Sequence, residues 1–390
     1  MKILVVIFSI LLFIIQDTVK GESQKSAAKS ITPPPYYQGS EKTYYYYNPE
    51  VSGFLVDFIF RRINRFTCLK FAKQATKIEG KIGINFEISD ENKVELSREV
   101  DTPTNVSLKK EDYKNGTVLR LYIGLALDMV TEVGRPNREK DVTVNMSNVD
   151  DKYKEYYQEK SQEETAYLKD TEFDFKSPMF FSSEFGSKEN KPTYDVKLYK
   201  DYEYFSNGFK IFRHNDFKHF FYYYCLNVET ETNTCKNGGY KPSTEEFKLN
   251  CKCPDYFTGS NCEKILPNYK DCKDKQQDFT AEKDTKNYEL NITSGTCYFK
   301  ISSKNKKNVS ITIEKLELNN PECLTYESNL EVLVRNDKGA AGINLCQDKK
   351  ESTKLPSLSK EVIIVLNSQK KAANLKFSYQ DAPEQGSENS

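Results

Sequence analysis

Apolar residues change their spacing several times along the chain, and each change predicts a different element. Behind Met1 and Lys2 runs an almost unbroken apolar stretch, Ile3 to Ile15, which gives way to the polar stretch Gln16 to Ser23. A basic start, an apolar run of this length and a polar exit predict a cleaved secretory signal over residues 1–20, because a membrane span needs about 20 apolar residues. From Val51 to Cys68 apolar residues recur at helical spacing (Phe54, Phe58, Ile63, Phe66) and predict a helix leading into Cys68. Short strands are expected after it, near Leu69 to Ala72 and Ile82 to Ile88. Between Thr117 and Thr131 apolar residues cover nearly every face, which predicts a buried helix. Periodicity disappears at Cys225, where five cysteines fall between Cys225 and Cys262, and a piece so small and cysteine-rich depends on disulfides. Beyond Cys272 short alternating runs (Cys297 to Ile301, Val309 to Leu318, Leu330 to Val334, Val362 to Leu366, Leu375 to Tyr379) predict a β-sandwich.

Composition bounds the remaining stretches. Residues 21–48, rich in Ser, Pro and Tyr and including Pro33 to Pro35 and Tyr44 to Tyr47, read as a pro-region or disordered segment, and residues 381–390 as a disordered tail. With 390 residues, the chain exceeds a single typical core. Ten cysteines fit an oxidising compartment. Five Asn-x-Ser/Thr sequons, at Asn105, Asn115, Asn145, Asn291 and Asn308, point the same way, and a secreted protein without membrane insertion after signal cleavage is expected. The 57 basic and 57 acidic residues balance, so no electrostatic argument favours nucleic acid or a membrane surface. The expected partner is an extracellular protein, peptide or glycan.

Three resemblances follow from local motifs. Cys235-Lys-Asn-Gly-Gly-Tyr, Cys251-Lys-Cys253-Pro and Gly259-Ser-Asn-Cys262-Glu resemble an EGF-like module, placed at 226–265, which implies pairs Cys235–Cys251 and Cys253–Cys262. Cys272, Cys297-Tyr-Phe-Lys-Ile, Cys323, Cys346 and Phe377-Ser-Tyr resemble a CUB domain, placed at 270–380, which implies Cys272–Cys297 and Cys323–Cys346. Asn367-Ser368 stands where that family's calcium-binding Asp is expected, so no calcium is assigned. Upstream, Thr67-Cys68-Leu69-Lys70-Phe71 and Arg135-Pro-Asn-Arg138-Glu-Lys-Asp-Val142-Thr-Val-Asn145 resemble the astacin-type zinc peptidases over residues 49–225, with Cys68 pairing Cys225. The implied fold is multidomain: an α+β metzincin domain, a small disulfide-rich β module and an all-β sandwich.

In register with that family, the first zinc histidine falls on Leu121, the general-base glutamate on Tyr122, the second histidine on Leu125 and the third on Thr131. The helix-ending glycine falls on Asp128, and the glutamate after the third histidine is kept as Glu132. Ser177-Pro-Met179-Phe-Phe181 resembles the Met-turn, with Phe181 at the position of the zinc-facing tyrosine. Zinc needs three lone-pair ligands, an open position and a carboxylate to take a proton from water, and leucine supplies no lone pair. The whole sequence holds two histidines, His214 and His219, so three histidine ligands are arithmetically impossible. A structural role is expected for both, packing for Tyr222 to Tyr224 as an edge strand, and a solvated face for Glu163 and Glu164. No cofactor and no enzymatic activity are expected, with zinc endopeptidase activity or matrix adhesion through the C-terminal modules as the alternatives.

Overall fold

The computed structural model describes residues 32–383 apart from positions 40, 51–52, 201, 203–207, 227–233, 243, 321–326 and 370. The expected signal therefore lies outside the described residues. The N-terminal domain is built on a five-stranded sheet: β1 (Thr43–Tyr47), β2 (Phe71–Lys73), β3 (Gly83–Ile88), β4 (Lys93–Glu95) and β5 (Thr104–Leu108), in the order β2-β1-β3-β5-β4. β1 runs parallel to both β2 and β3, and β4 is an antiparallel edge. Helix α1 (Phe54–Phe66) turns Val56, Ile59, Phe60, Ile63 and Phe66 inward, and Phe60 stacks on Tyr45 with ring centroids 4.3 Å apart.

That stacking corrects the assignment of residues 21–48 to a pro-region or disordered segment. From residue 32 onward the described chain is part of the domain, with Tyr36 buried and its hydroxyl donating to Ala126 O (2.9 Å) and hydrogen-bonded to the Thr104 hydroxyl (2.7 Å). In this strand Tyr45 buries its ring while its hydroxyl donates to Asp57 Oδ1 (2.8 Å), and a run of residues at once apolar and polar lacks the alternation that would announce a strand. Residues 21–31 lie outside the described residues.

Helix α2 (Gly116–Ala126) starts at Asn115, whose Oδ1 accepts from the backbone N–H groups of Thr117 and Val118. Such an N-cap satisfies donors that a helix start leaves orphaned. The helix ends five residues before the expected Thr131, because Asp128 takes the left-handed conformation (φ 58°) and turns the chain away. A second correction concerns Tyr222 to Tyr224, which lie in helix α3 (His214–Cys225) and not in an edge strand. The Asp216 carboxylate accepts from Arg213 N (2.7 Å) and closes the first turn of α3.

After two short strands that pair with each other, β6 (Val142–Val144) and β7 (Tyr194–Val196), and a small module holding the hairpin β8 (Phe257–Thr258) and β9 (Lys264–Ile265), the chain ends in two facing sheets. One contains β10 (Tyr269–Lys270), β11 (Asp278–Ala281), β13 (Gly295–Ser303), β15 (Ser328–Leu333), β16 (Ile343–Leu345) and β18 (Glu361–Ser368). The other orders β12 (Lys286–Ile292), β19 (Ala373–Asp381), β14 (Val309–Glu317) and β17 (Thr353–Lys354). Phe279, Phe299 and Phe377 meet between the sheets at centroid distances of 5.9 to 6.4 Å. The fold class expected from the sequence is thus the one observed. The sandwich includes Tyr269 and Asp381, one residue beyond each expected boundary, so the tail begins after β19.

Disulfides join Cys68 to Cys225, Cys235 to Cys251, Cys253 to Cys262 and Cys272 to Cys297. Cys346 is also disulfide-bonded, and its expected partner Cys323 lies outside the described residues.

Three consecutive residues at the start of α3 reach three different parts of the chain. His214 Nε2 donates to Gly238 O in the small module (2.8 Å), Asn215 Nδ2 to Asp337 Oδ2 in the sandwich (2.7 Å), and Asp216 Oδ1 accepts from Ser177 Oγ (2.5 Å). The sandwich also lays Arg335 beside the stacked rings of Phe175 and Tyr202, which are 4.2 Å apart, with its guanidinium 5.7 and 5.5 Å from their centroids. Arg335 donates to Phe173 O and, at 3.0 Å, to Ala341 O. The three modules share one set of buried hydrogen bonds.

Candidate functional site

Two hollows open beside α2 in the N-terminal domain, one against Val94 of the edge strand β4 and one against Pro178, Phe181 and Phe185. Leu121 is buried and Leu125 half-buried, one helical turn apart, and each faces a different hollow. The hollow at Leu121 has about 460 Å³ and is walled by Val118, Phe181, Phe185 and Phe209, with Asn92 and Glu184 at its rim. The hollow at Leu125 has about 230 Å³ and is walled by Val94, Leu96, Met129, Val130 and Tyr156. Phe181 and Phe185 stack at 4.4 Å, and Phe185 meets Tyr153 and Tyr156 edge-on.

The residues at the family's ligand positions do not fit zinc. Leu121 and Leu125 carry no donor atom. Thr131 Oγ1 is committed, donating to Tyr156 O (2.5 Å) and accepting from Gly134 N (3.1 Å). Tyr122 is fully buried, its hydroxyl has no protein partner, and burial pushes that phenol far above its ordinary range, so the phenolate a metal would need is disfavoured. Phe181 brings a ring and no hydroxyl, and its carbonyl accepts from Tyr194 Oη (2.6 Å). Among the described residues no group of three or more His, Cys, Asp or Glu side chains is placed to hold a metal.

A buried polar frame surrounds these positions. Glu132 is buried and held by Asp174 N–H (3.0 Å) and Arg135 (3.5 Å); burial pushes its carboxyl up to about 7 against the pull of Arg135. Asp174 Oδ1 in turn accepts from Lys176 N and, across to the sandwich, from Ala341 N. Asp216, raised to about 8 by burial and by Asp174, anchors Ser177, whose Oγ accepts from Met179 N (3.0 Å). This frame fixes the turn that carries Phe181. A second tie closes the Leu125 end: the Asp128 carboxylate pairs with Arg98 (2.8 Å) and accepts from Tyr223 Oη, while Arg98 also donates to Thr32 O.

Neither histidine lies in the cleft wall. His219 Nε2 is 2.8 Å from Thr171 Oγ1, and burial pushes its imidazole well down, with Arg135 adding to the effect. Burial, aided by Lys252, lowers His214 to about 3, so both rings are neutral structural groups. The sequons are scattered: Asn105 accepts from Asn85, Asn115 caps α2, Asn145 donates to Asp195, Asn291 lies exposed on the edge strand β12, and Asn308 donates to Ser357 O. Glu163 and Glu164 are exposed or half-exposed. Sequence reasoning missed Asn92, Phe185 and Phe209 as cleft residues. Phe209 left one trace, an aromatic directly after Gly208 in a stretch without helical or strand periodicity.

Residues 40–204 match the family model described as Astacin (peptidase family M12-A). The zinc metalloproteinase dpy-31 of Brugia malayi is 26% identical over 217 residues, covering 55% of this chain and 35% of that protein. Its namesake from Caenorhabditis elegans is 29% identical over 166 residues, covering 42% of this chain and 27% of its own. The match thus spans about a third or less of these relatives. Among solved structures, high choriolytic enzyme 1, a hatching enzyme zinc-protease from medaka, aligns with TM-score 0.36 and 17% identity over 46% of this chain and 86% of that one. The CUB1-EGF-CUB2 region of human MASP-1/3 aligns with TM-score 0.22 and 18% identity, covering 38% of this chain and 49% of that one. Residues 40–204 are therefore an astacin-like domain, and the register read from the sequence motifs sets Leu121, Tyr122, Leu125 and Thr131 against that family's ligand and base positions.

Proposed function

We propose that this protein is a secreted, glycosylated pseudopeptidase in which the astacin-family cleft binds an extended segment of an extracellular protein or peptide without cutting it. The observation that carries the reading is the replacement of ligands and base by Leu121, Tyr122, Leu125 and Thr131, each packed or hydrogen-bonded in a way that leaves nothing to hold a metal or activate water. Three unpartnered histidines in a desolvated cleft would each cost about 1 to 3 kcal/mol, and apolar residues remove that penalty. The edge strand β4 supports the binding half of the reading, since its outer edge offers backbone groups to which an extended chain could add. Secretion is supported by the N-terminal apolar run, the disulfides and the sequons, with an EGF-like module at 226–265 and a CUB-like sandwich behind it. Among the described residues no helix is long and apolar enough to cross a membrane.

The relatives named as zinc metalloproteinases make proteolysis the competing reading. The deciding experiment measures metal content of the purified full chain by mass spectrometry, together with hydrolysis of a broad peptide library with and without added zinc. Metal-free, inactive and well-folded protein is expected. Stoichiometric zinc with chelator-sensitive cleavage overturns the reading.

A further inference from the structure

We propose that Asn115 carries an N-linked glycan whose first sugar residues lie in the hollow at Leu121, against the exposed face of Phe209, and cover it. This rests on the secreted, glycosylated part of the reading above and adds a role for one modified residue. It leaves the hollow at Leu125 as the open one.

The acceptor is built into the site. Asn115 is exposed, and it lines the same 460 Å³ space as Val118, Leu121, Phe181, Phe185 and Phe209. Its Oδ1 accepts from Thr117 N (3.1 Å) and Val118 N (3.2 Å), while its Nδ2 makes no hydrogen bond among the described residues. Transfer uses only that nitrogen. Nδ2 forms a bond to C1 of the first sugar, the C1–O bond to the pyrophosphate of a lipid-linked oligosaccharide breaks, the pyrophosphate leaves with the electron pair, and Nδ2 gives up one proton. The amide oxygen is untouched, so the cap of α2 survives the modification.

The surface beside the acceptor fits a sugar. Phe209 is 75% exposed, more than any other aromatic ring among the described residues. It is held against the sequon: its Cε2 stands 2.9 Å from where a Cβ on Gly116 would be, and the Arg120 guanidinium lies over its ring at 5.4 Å. A side chain at Gly116, the middle residue of Asn115-Gly116-Thr117, would push Phe209 away from the acceptor. With Arg120 on one face, the other face of the ring is apolar surface turned to solvent, the kind of surface that marks a contact. A pyranose ring packs its C–H face on an aromatic ring and keeps its hydroxyls at the edge, where Asn92 and Glu184 stand at this rim. The volume lies in the range of about 300 to 1,000 Å³ typical of small-molecule sites. Asn291 also lines a hollow, in the sandwich, but no aromatic ring lines that one.

The test uses the full chain secreted from a eukaryotic cell line. Mass spectrometry of intact glycopeptides reads occupancy at Asn115, and hydroxyl-radical footprinting reads the exposure of Phe209, with Tyr269 on the sandwich, 57% exposed, as the reference ring. Phe209 is expected to be labelled several-fold less in the glycosylated protein than in Asn115→Asp, which removes the sequon and keeps a good N-cap. Enzymatic release of the glycan from the folded protein should unmask Phe209 to the same extent, so the result does not depend on how the variant folds. Tyr269 should not change. An occupied Asn115 with Phe209 labelled equally before and after release overturns the inference, and so does a chain glycosylated at other sequons with Asn115 bare; in both cases the glycosylated reading stands. A secreted chain without any glycan overturns the two together.

Discussion

Met179 Sδ occupies the space that a side chain at Gly124 would need: an ideal Cβ built there stands 2.3 Å from the sulfur. The glycine lies on α2 between Leu121 and Leu125 in sequence, and it lets the turn carrying Phe181 press against the helix backbone.

Gly124→Ala should therefore destabilise the protein even though alanine is favoured in helices by about 1 kcal/mol. Overpacking a buried site costs about 1 to 3 kcal/mol. In a Met179→Ala background the sign should reverse, because the helix preference remains and the clash is gone. Urea denaturation of the four proteins checks both; a stabilised single variant would mean that Met179 swings aside.

From sequence alone, Leu125→Asp is expected to be the damaging change in α2. Burial moves that sensitivity to Leu121, which is 3% exposed, whereas Leu125 is half-buried on the cleft wall. Leu121→Asp should cost about 3 kcal/mol or more, and Leu125→Asp clearly less. The melting temperature of the unaltered protein should not move on adding a chelator, and a chelator-induced drop would contradict the packing account of this helix.

Arg335→Ala should unfold more than the sandwich. It removes the donors of Phe173 O and Ala341 O and the cation facing Asp141 and Glu172 (both 3.8 Å), a loss of about 3 to 5 kcal/mol for a buried charge network. Arg335→Lys should recover little, since an ammonium lacks the planar fork that reaches Phe173 O and Ala341 O together while lying against the Phe175 and Tyr202 rings. Hydrogen exchange reads the outcome: protection should fall in α3 as well as in β15, and unchanged protection in α3 would show the modules to be independent.

His214→Gln should flatten the acid limb of stability. The folded value of His214, about 3, lies below the ordinary 6.5, so protons favour the unfolded chain, and the stabilisation present above about pH 6.5 is lost as pH falls. The expected loss approaches about 1.4 kcal/mol per pH unit below pH 6. Lys252, Lys218 and Asp337, which also act on this ring, are present in both proteins, and Gln can still donate to Gly238 O, so the difference between the two titrations isolates His214. Parallel pH curves would refute the assignment.

The buried helix Gly116–Ala126 was legible because its apolar residues cover nearly every face. The sandwich strands were legible because they alternate. The strand Thr43–Tyr47 was not, since tyrosine is apolar and polar at once and its run hides the period of two. Nor were Arg335, Asp337 and Asn215. In sequence Val334-Arg-Asn-Asp-Lys reads as a solvated turn, and only the tertiary fold supplies the aromatic rings and buried partners that hold it. Truncation at residue 226 is for the same reason a poor way to locate binding, as it would strip Asn215, Glu172 and Asp174 of their partners.

Arg335 to Phe173 O, Asn215 to Asp337 and Ala341 N to Asp174 tie the sandwich to the N-terminal domain through buried hydrogen bonds, and such ties hold the spacing between the two. A partner that grips both meets them at a single separation, and its second contact forms without a flexible tether to immobilise. Such a molecule acts as a calliper: the fixed gap between its jaws, more than the strength of either, sorts the partners that fit from those that touch one jaw and leave.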